Sequence, residues 1–100
     1  MDLVLRRRAV RDLEQIQERL LDRAGEQAAD NVRRHLAMRI ERLRSKPDLG
    51  IFSDHPDVRI LSPTKYPYRI YFMTTDMAVV ILHIRHTARR AVKLEGLVRA

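Results

Sequence analysis

The sequence predicts a single α+β domain in which a helical hairpin lies on one face of a small curved antiparallel β-sheet. Two stretches with the spacing of amphipathic helices follow one another and are separated by Gly25. Three strand-like segments joined by short connections fill the second half of the chain, and one short apolar run precedes the helices. At 100 residues the chain has the length of one domain, residues 1–100. The expected order of elements is therefore βααβββ.

The first strand and the first helix are predicted from a change in apolar periodicity. Leu3-Val4-Leu5 is a short apolar run, and three arginines follow it. From Ala9 onward apolar side chains recur at steps of three and four, as they do on one side of a helix. Gly25 ends this pattern, since glycine is the usual residue just past a helix end.

A second helix is predicted from Glu26 to Ser45. Pro47 ends it, because the residue before a proline avoids helical angles. Its apolar stripe is evenly spaced and consists of Ala28, Val32, Leu36, Ile40 and Leu43. Two helices joined at one glycine form an antiparallel hairpin. Exposing either apolar stripe to water is unfavourable, so the two helices need a sheet against which to bury these side chains.

The second half of the chain predicts a three-stranded antiparallel meander. Residues 48–57 are predicted as a loop, because they contain Gly50, Pro56 and three aspartates. The strands are rich in β-branched and aromatic residues and cover 58–61, 68–73 and 79–85. After them, residues 87–100 are predicted as a short helix or a loose tail.

Alternation along the last hairpin predicts two unlike faces. A turn that is symmetric about Asp76 pairs Tyr71 with Ile81 and Arg69 with His83. One face is then polar, with Arg69, Tyr71, His83 and Arg85. The other is apolar and is expected beneath the helices, with Tyr68, Ile70, Phe72, Val80, Leu82 and Ile84.

The charge distribution suggests that the polar face binds a polyanion. The net charge is +7, and residues 58–100 hold eight basic residues against Asp76 and Glu95. Arginine offers a planar fork that matches phosphate and carboxylate groups. The basic groups expected around one shallow concavity are Lys65, Arg69, Arg85, His86 and Arg89. The alternative is an ordinary solvated sheet face, on which arginine stems cover strand residues.

Several classes of protein are excluded. There is no cysteine, so a disulfide scaffold, a thiolate metal site and a cysteine nucleophile are absent. The histidines and carboxylates have no metal-ligand spacing, and the three glycines form no phosphate-binding loop. The longest apolar run, residues 77–82, is far too short to span a bilayer. We therefore expect no metal, no cofactor and no membrane segment.

Two segments together give the chain a resemblance to the ParE/RelE superfamily of type II toxin–antitoxin toxins, which includes plasmid-stabilisation proteins. Residues 66–72, with Tyr68-Arg69-Ile70-Tyr71, resemble its central strand, and residues 79–89 resemble its last strand and tail. The resemblance covers essentially the full length. It implies the βααβββ fold and a cytoplasmic bacterial toxin that a small cognate antitoxin neutralises.

Two activities occur in this superfamily, and the resemblance is closer to the ParE branch, whose members poison DNA gyrase. In that case the basic tail, with Arg89, Arg90 and Lys93, is expected to bind the target, and the protein is not an enzyme. The tail after Arg89 also lacks the tyrosine that many mRNA-cutting members, which form the RelE branch, carry near the C-terminus. A third possibility is a binding protein of the same fold that is not toxic.

The alternative activity is that of RelE-like members, which cut mRNA on the ribosome. Cleavage by the 2′-hydroxyl needs a base, an acid and a cation for the pentavalent phosphate. In this reading Arg69 holds the phosphate and Arg85 shares the charge. Lys65 acts as base or electrostatic support, His86 acts as acid, and Arg89 completes the set.

The antitoxin is expected to lay an amphipathic helix in an apolar groove and to add a strand at a sheet edge. Candidate contacts lie on the borders of the two helical stripes and are Leu20, Leu21, Leu36 and Met38. The alternative is that these are core residues.

Overall fold

The computed structural model describes residues 1–90 and 92–99. Two long helices lie on a five-stranded sheet, with one short helix on its other side. The elements in chain order are β1 (Asp2–Leu5), α1 (Arg7–Ala24), α2 (Glu26–Arg42), a 3-10 turn (Pro47–Leu49), β2 (Ile51–Phe52), β3 (Arg59–Leu61), β4 (Tyr68–Thr74), β5 (Ala78–His86) and α3 (Leu94–Arg99).

The predicted α+β class and the helical hairpin on a sheet are confirmed. The spatial strand order is β1-β5-β4-β3-β2, and β2 to β5 pair antiparallel as expected. Two details differ. β1 pairs parallel with β5, so the sheet is mixed. β2 lies in the segment predicted as a loop, because two residues are too few to show an alternation.

The main core lies between the hairpin and the sheet. Gly25 joins the two long helices with a φ of 90°, a conformation that side-chain-bearing residues rarely adopt. The α2 stripe faces the sheet as predicted, and so do Leu13, Ile16 and Leu20 of α1, whereas Val10, predicted as part of the α1 stripe, is 40% exposed. The fully or nearly buried apolar residues of this core include Ala9, Val32, Leu36, Ile40, Leu43, Ile70, Phe72, Val79, Ile81 and Ile84.

A β-bulge in the last hairpin changes which side chains share a face. Tyr71 pairs with His83, yet Phe72 pairs with Ile81, so Leu82 is the extra residue. The predicted pairs Tyr71–Ile81 and Arg69–His83 are therefore wrong. Arg69 instead lies directly opposite Arg85.

The bulge also reverses the predicted orientation of half of β5. Val79 and Ile81 belong to the core beneath the long helices, whereas Val80 and Leu82 belong to a second cluster on the opposite face. The assignment of Val80 and Leu82 to the helix-covered face is wrong, while that of Ile84 is confirmed. One inserted residue is enough to turn the side chains on one side of the bulge to the opposite face, since side chains alternate along a strand with a period of two.

The second cluster shows that the face expected to be open is covered. Val58, Tyr71, Leu82 and Leu97 are buried together there, and Leu97 comes from α3. The Arg6 guanidinium holds α3 by donating to the carbonyls of Leu97 and Val98, at 2.8 Å each. The helical alternative for the tail is thus confirmed over residues 94–99, while Ala91 and Ala100 lie outside the described residues.

Candidate functional site

Asp12 connects α1 to the outer edge of β5. β1 ends at Leu5, opposite Ile81, so the rest of β5 has no strand on that side. There the Asp12 carboxylate accepts hydrogen bonds from the Ile84 amide at 3.0 Å and from the His83 Nδ1 at 2.5 Å. One carboxylate oxygen thus satisfies both a strand amide and an imidazole.

His83 is a buried residue rather than a member of an open polar face. It is 4% exposed, and its ring stacks on that of Tyr71 with centroids 5.7 Å apart. Its Nδ1 is bonded to Asp12, whereas its Nε2 is buried and has no hydrogen-bond partner in the described part of the chain. An unpartnered buried nitrogen is unusual and calls for a physical explanation.

A small pocket lies where α1 crosses this edge of β5, and we call it the edge pocket. Its volume is about 40 Å³. A turn after β5, in which the Arg89 amide donates to the His86 carbonyl at 3.1 Å, brings Arg89 to its rim. The lining residues are Asp12, Gln15, Ile16, Arg19, Tyr68, His83, Ile84, Arg85, His86 and Arg89.

Hydrogen-bond donors dominate the polar lining of the edge pocket. The Arg85 Nε is buried without a partner among the described residues. The His86 Nδ1 accepts from the Ala88 amide at 3.0 Å, which places the proton of the neutral ring on Nε2. Burial raises the pKa of the Tyr68 phenol, and the nearby Arg19 charge opposes that rise. Tyr68 is therefore a neutral donor at pH 7.

Arg69 lines a different cavity, which we call the front pocket. This cavity measures about 690 Å³. Its wall combines aromatic and apolar side chains with a few polar ones, and Arg59 stacks over the Phe52 ring at 4.8 Å. The lining residues are Phe52, Ser53, Asp54, His55, Pro56, Ile60, Arg69, Tyr71, Val92 and Leu94. Within residues 1–90 and 92–99, neither Arg69 nor Arg85 forms an ion pair with a carboxylate.

Lys65 lies apart from both pockets. It follows β3, and its ammonium is 5.6 Å from the centroid of the Tyr66 ring. The Tyr66 ring in turn packs edge-on against His35 of α2, with centroids 5.1 Å apart, so Lys65 lies on the α2 side of the sheet. Burial lowers the pKa of His35, and the charges of Arg39 and Lys65 lower it further. Of the five basic groups predicted from the sequence, Arg69 and Arg85 are direct cross-strand partners, His86 and Arg89 line the edge pocket with Arg85, and Lys65 lies on neither pocket wall. Their roles stay predictions.

The other predicted residues divide into core and surface. Leu36 is 2% exposed and belongs to the core, and Leu20 packs against that core. Leu21 is 43% exposed and Met38 is 53% exposed, so these two are accessible to a partner. The tail residues Arg89, Arg90 and Lys93 are all exposed.

Asp12, Arg19 and Tyr68 were not among the residues predicted to form a site. Asp12 carried a usable signal, because it lies three residues after Ala9 and four before Ile16. It thus interrupts the buried stripe of α1. A carboxylate in such a position needs a hydrogen-bond partner from a neighbouring element. Nothing in the sequence says that this partner is the edge of the last strand.

The described residues contain neither a candidate membrane span nor a candidate metal site. None of their helices combines the length and the apolar composition that a bilayer crossing requires. No three histidine, aspartate or glutamate side chains among these residues come together as metal ligands would.

Comparisons with known proteins agree with the fold. The family model described as the ParE toxin of the type II toxin–antitoxin system parDE matches residues 3–91. A solved structure of the chromosomal ParDE system from P. aeruginosa is similar at 24% identity and a TM-score of 0.78, covering 86% of this chain and 95% of that one. The isolated E. coli RelE toxin is similar at 18% identity and a TM-score of 0.64, covering 98% and 96%. No curated protein sequence matches.

Proposed function

The chain belongs to the ParE family of type II toxin–antitoxin toxins, and we propose that it stops growth by binding DNA gyrase rather than by cleaving RNA. The placement of the basic groups carries this proposal. RNA cleavage needs a base, an acid and a phosphate-binding cation around one phosphate. Here Lys65, the predicted base, contacts the Tyr66 ring, which packs on His35 of α2, whereas Arg69 lines the front pocket and His86 the edge pocket on the sheet. Such separation suits a toxin that acts by binding.

The exposed tail provides the binding surface in this proposal. Arg89, Arg90 and Lys93 follow β5 and precede α3, and all three are exposed. They add positive charge to a chain of net charge +7. Complementary charge speeds association and selects the partner surface. We therefore assign this tail to contact with an acidic surface of gyrase, in the bacterial cytoplasm.

The decisive experiment compares the two activities with one preparation of toxin. We expect purified toxin to inhibit supercoiling by gyrase and to increase cleaved DNA in the same reaction. In a translation reaction the same toxin leaves a reporter mRNA intact, as read by primer extension. Fragmented mRNA together with unaffected supercoiling would reverse the proposal.

RNA cleavage is the second candidate, and one observation favours it. Arg69 and Arg85 are direct cross-strand partners, and no carboxylate pairs with either among the described residues. Like charges directly opposite one another destabilise a sheet unless an anion lies between them. For a toxin that cleaves RNA, Arg69→Ala is expected to abolish mRNA cleavage. His86→Gln is expected to slow cleavage while ribosome binding is retained.

We also propose that a cognate antitoxin covers the outer side of the helical hairpin. A mainly apolar groove of about 280 Å³ lies between α1 and α2, with Leu13, Ile16 and Leu36 in its wall. Leu21 and Met38, one on each helix, are exposed apolar side chains. An amphipathic helix is the usual ligand of such a groove.

Hydrogen exchange and two substitutions test the antitoxin surface. Bound antitoxin is expected to slow amide exchange in α1 and α2. Leu21→Asp and Met38→Asp are expected to weaken binding about tenfold each, because each buries a charge. Leu49→Asp is the matched control, since Leu49 is 44% exposed but lies outside the hairpin. Unchanged exchange in both helices would contradict the proposal.

A further inference from the structure

We propose that the edge pocket is an oxyanion site that takes a single phosphoryl group, either as free phosphate or as one phosphate of a nucleic-acid backbone. The pocket lies at the outer edge of β5, beyond the end of β1. Its lining includes Arg19, Gln15 and Tyr68, which the gyrase proposal does not use. Arg89 is shared with the gyrase proposal, but phosphate binding is measured without gyrase, so the two proposals can fail separately.

The charge of the edge pocket calls for an anion. Three arginines line it, Arg19, Arg85 and Arg89, and none of them forms an ion pair in the described part of the chain. Asp12 is the one carboxylate in the lining, and its Oδ2 already accepts two hydrogen bonds. The pocket thus has an excess of positive charge that nothing within its own lining neutralises.

Two buried nitrogens without partners in the described part of the chain indicate a preformed binding site rather than an accidental surface cleft. The Arg85 Nε and the His83 Nε2 both belong to lining residues, both are buried, and neither has a hydrogen-bond partner among the residues that the structure describes. His83 is also held in place, because Asp12 binds its Nδ1 and Tyr71 stacks on its ring. A bound oxyanion accepts from the Arg85 Nε–H, and a protonated phosphate oxygen donates to the His83 Nε2.

The number of donors selects phosphate over carboxylate. The pocket offers three guanidinium groups, the His86 Nε2–H and the Tyr68 hydroxyl. A carboxylate has two oxygens, whereas a phosphoryl group presents at least three acceptors, and arginine binds them in a bidentate manner. A volume of about 40 Å³ suits the oxygens of one such group and excludes a nucleoside. Arg19 and Arg89 also line the adjoining surface, together with Arg23 and the carboxylates Glu18 and Asp22, so the pocket opens onto a surface of mixed charge.

A titration with inorganic phosphate tests the proposal, with the imidazole NMR signals of His83 and His86 as the readout. We expect both signals to shift in a saturable manner at millimolar phosphate and not with chloride at equal ionic strength. Arg19→Gln and Arg89→Gln are expected to weaken binding about tenfold each, the effect of one lost charge-assisted hydrogen bond. Arg42→Gln removes the same charge from an exposed position on α2 and is expected to change nothing.

The controls make each outcome decisive. Shifts that do not saturate, or that weaken equally in Arg42→Gln and Arg19→Gln, would show general charge screening and overturn the proposal. A single-stranded oligonucleotide then separates the two sources of phosphate. If it displaces inorganic phosphate from the unmodified protein, the ligand is a nucleic-acid backbone. If phosphate binds and the oligonucleotide does not compete, the ligand is the free ion.

Discussion

Replacing Asp12 with alanine is expected to lower the free energy of unfolding by about 3 kcal/mol, because the substitution leaves two buried groups without a partner. The lost acceptor serves the Ile84 amide at 3.0 Å and the His83 Nδ1 at 2.5 Å. The side chains of Asp12 and His83 are 14% and 5% exposed, so water replaces the lost contacts poorly. For a domain of this size the melting temperature should fall on the order of 15 °C.

Two companion variants separate this mechanism from a general effect of charge. Asp22→Ala removes a carboxylate from an exposed position on the same helix, and its expected effect is within about 0.5 kcal/mol. Asp12→Asn keeps one acceptor for the Ile84 amide and should recover part of the loss. Melting temperatures are measured by calorimetry. Equal values for Asp12→Ala and Asp22→Ala would show that the hydrogen bonds of Asp12 to β5 do not stabilise the fold.

The parts of the fold that depend on local pattern were predictable from the sequence. The steps of three and four in α1 and α2 and the single glycine between them identify the hairpin, since helical spacing is a property of neighbouring residues. The alternation in β4 correctly places Tyr68, Ile70 and Phe72 beneath the helices. Each of these inferences needs only a window of a dozen residues.

The parts that depend on distant pairing were not predictable. The extra residue Leu82 has no signature of its own, because apolar side chains occupy both faces of β5. The burial of Leu97 against Val58 and Tyr71 needs knowledge that α3 folds back on the sheet. The pairing of Asp12 with His83 spans 71 residues of sequence. For the same reason the sequence did not show that Lys65 lies apart from the edge pocket, which Arg85, His86 and Arg89 line together.

If the gyrase proposal is right, the combined variant Arg89→Gln, Arg90→Gln and Lys93→Gln is expected to lose about a hundredfold in gyrase inhibition. Each exposed cation at a charged interface contributes about 1 kcal/mol, and three together give a factor of that size. Arg69→Ala should have a smaller effect, since Arg69 is half-buried in the wall of the front pocket, whereas the three tail cations are exposed. Supercoiling assays at several toxin concentrations measure both variants.

Substitution tests the tail better than truncation does. Removal of every residue after His86 is also expected to reduce inhibition more than Arg69→Ala does, but it deletes Leu97, which is 1% exposed, and uncovers Val58 and Leu82. Loss of inhibition would then reflect a damaged fold. The glutamine variant keeps α3, and the matched control removes three exposed cations elsewhere, at Arg8, Arg42 and Lys46. If the control loses as much inhibition as the tail variant, or if Arg69→Ala loses more, contact between the tail and gyrase is refuted.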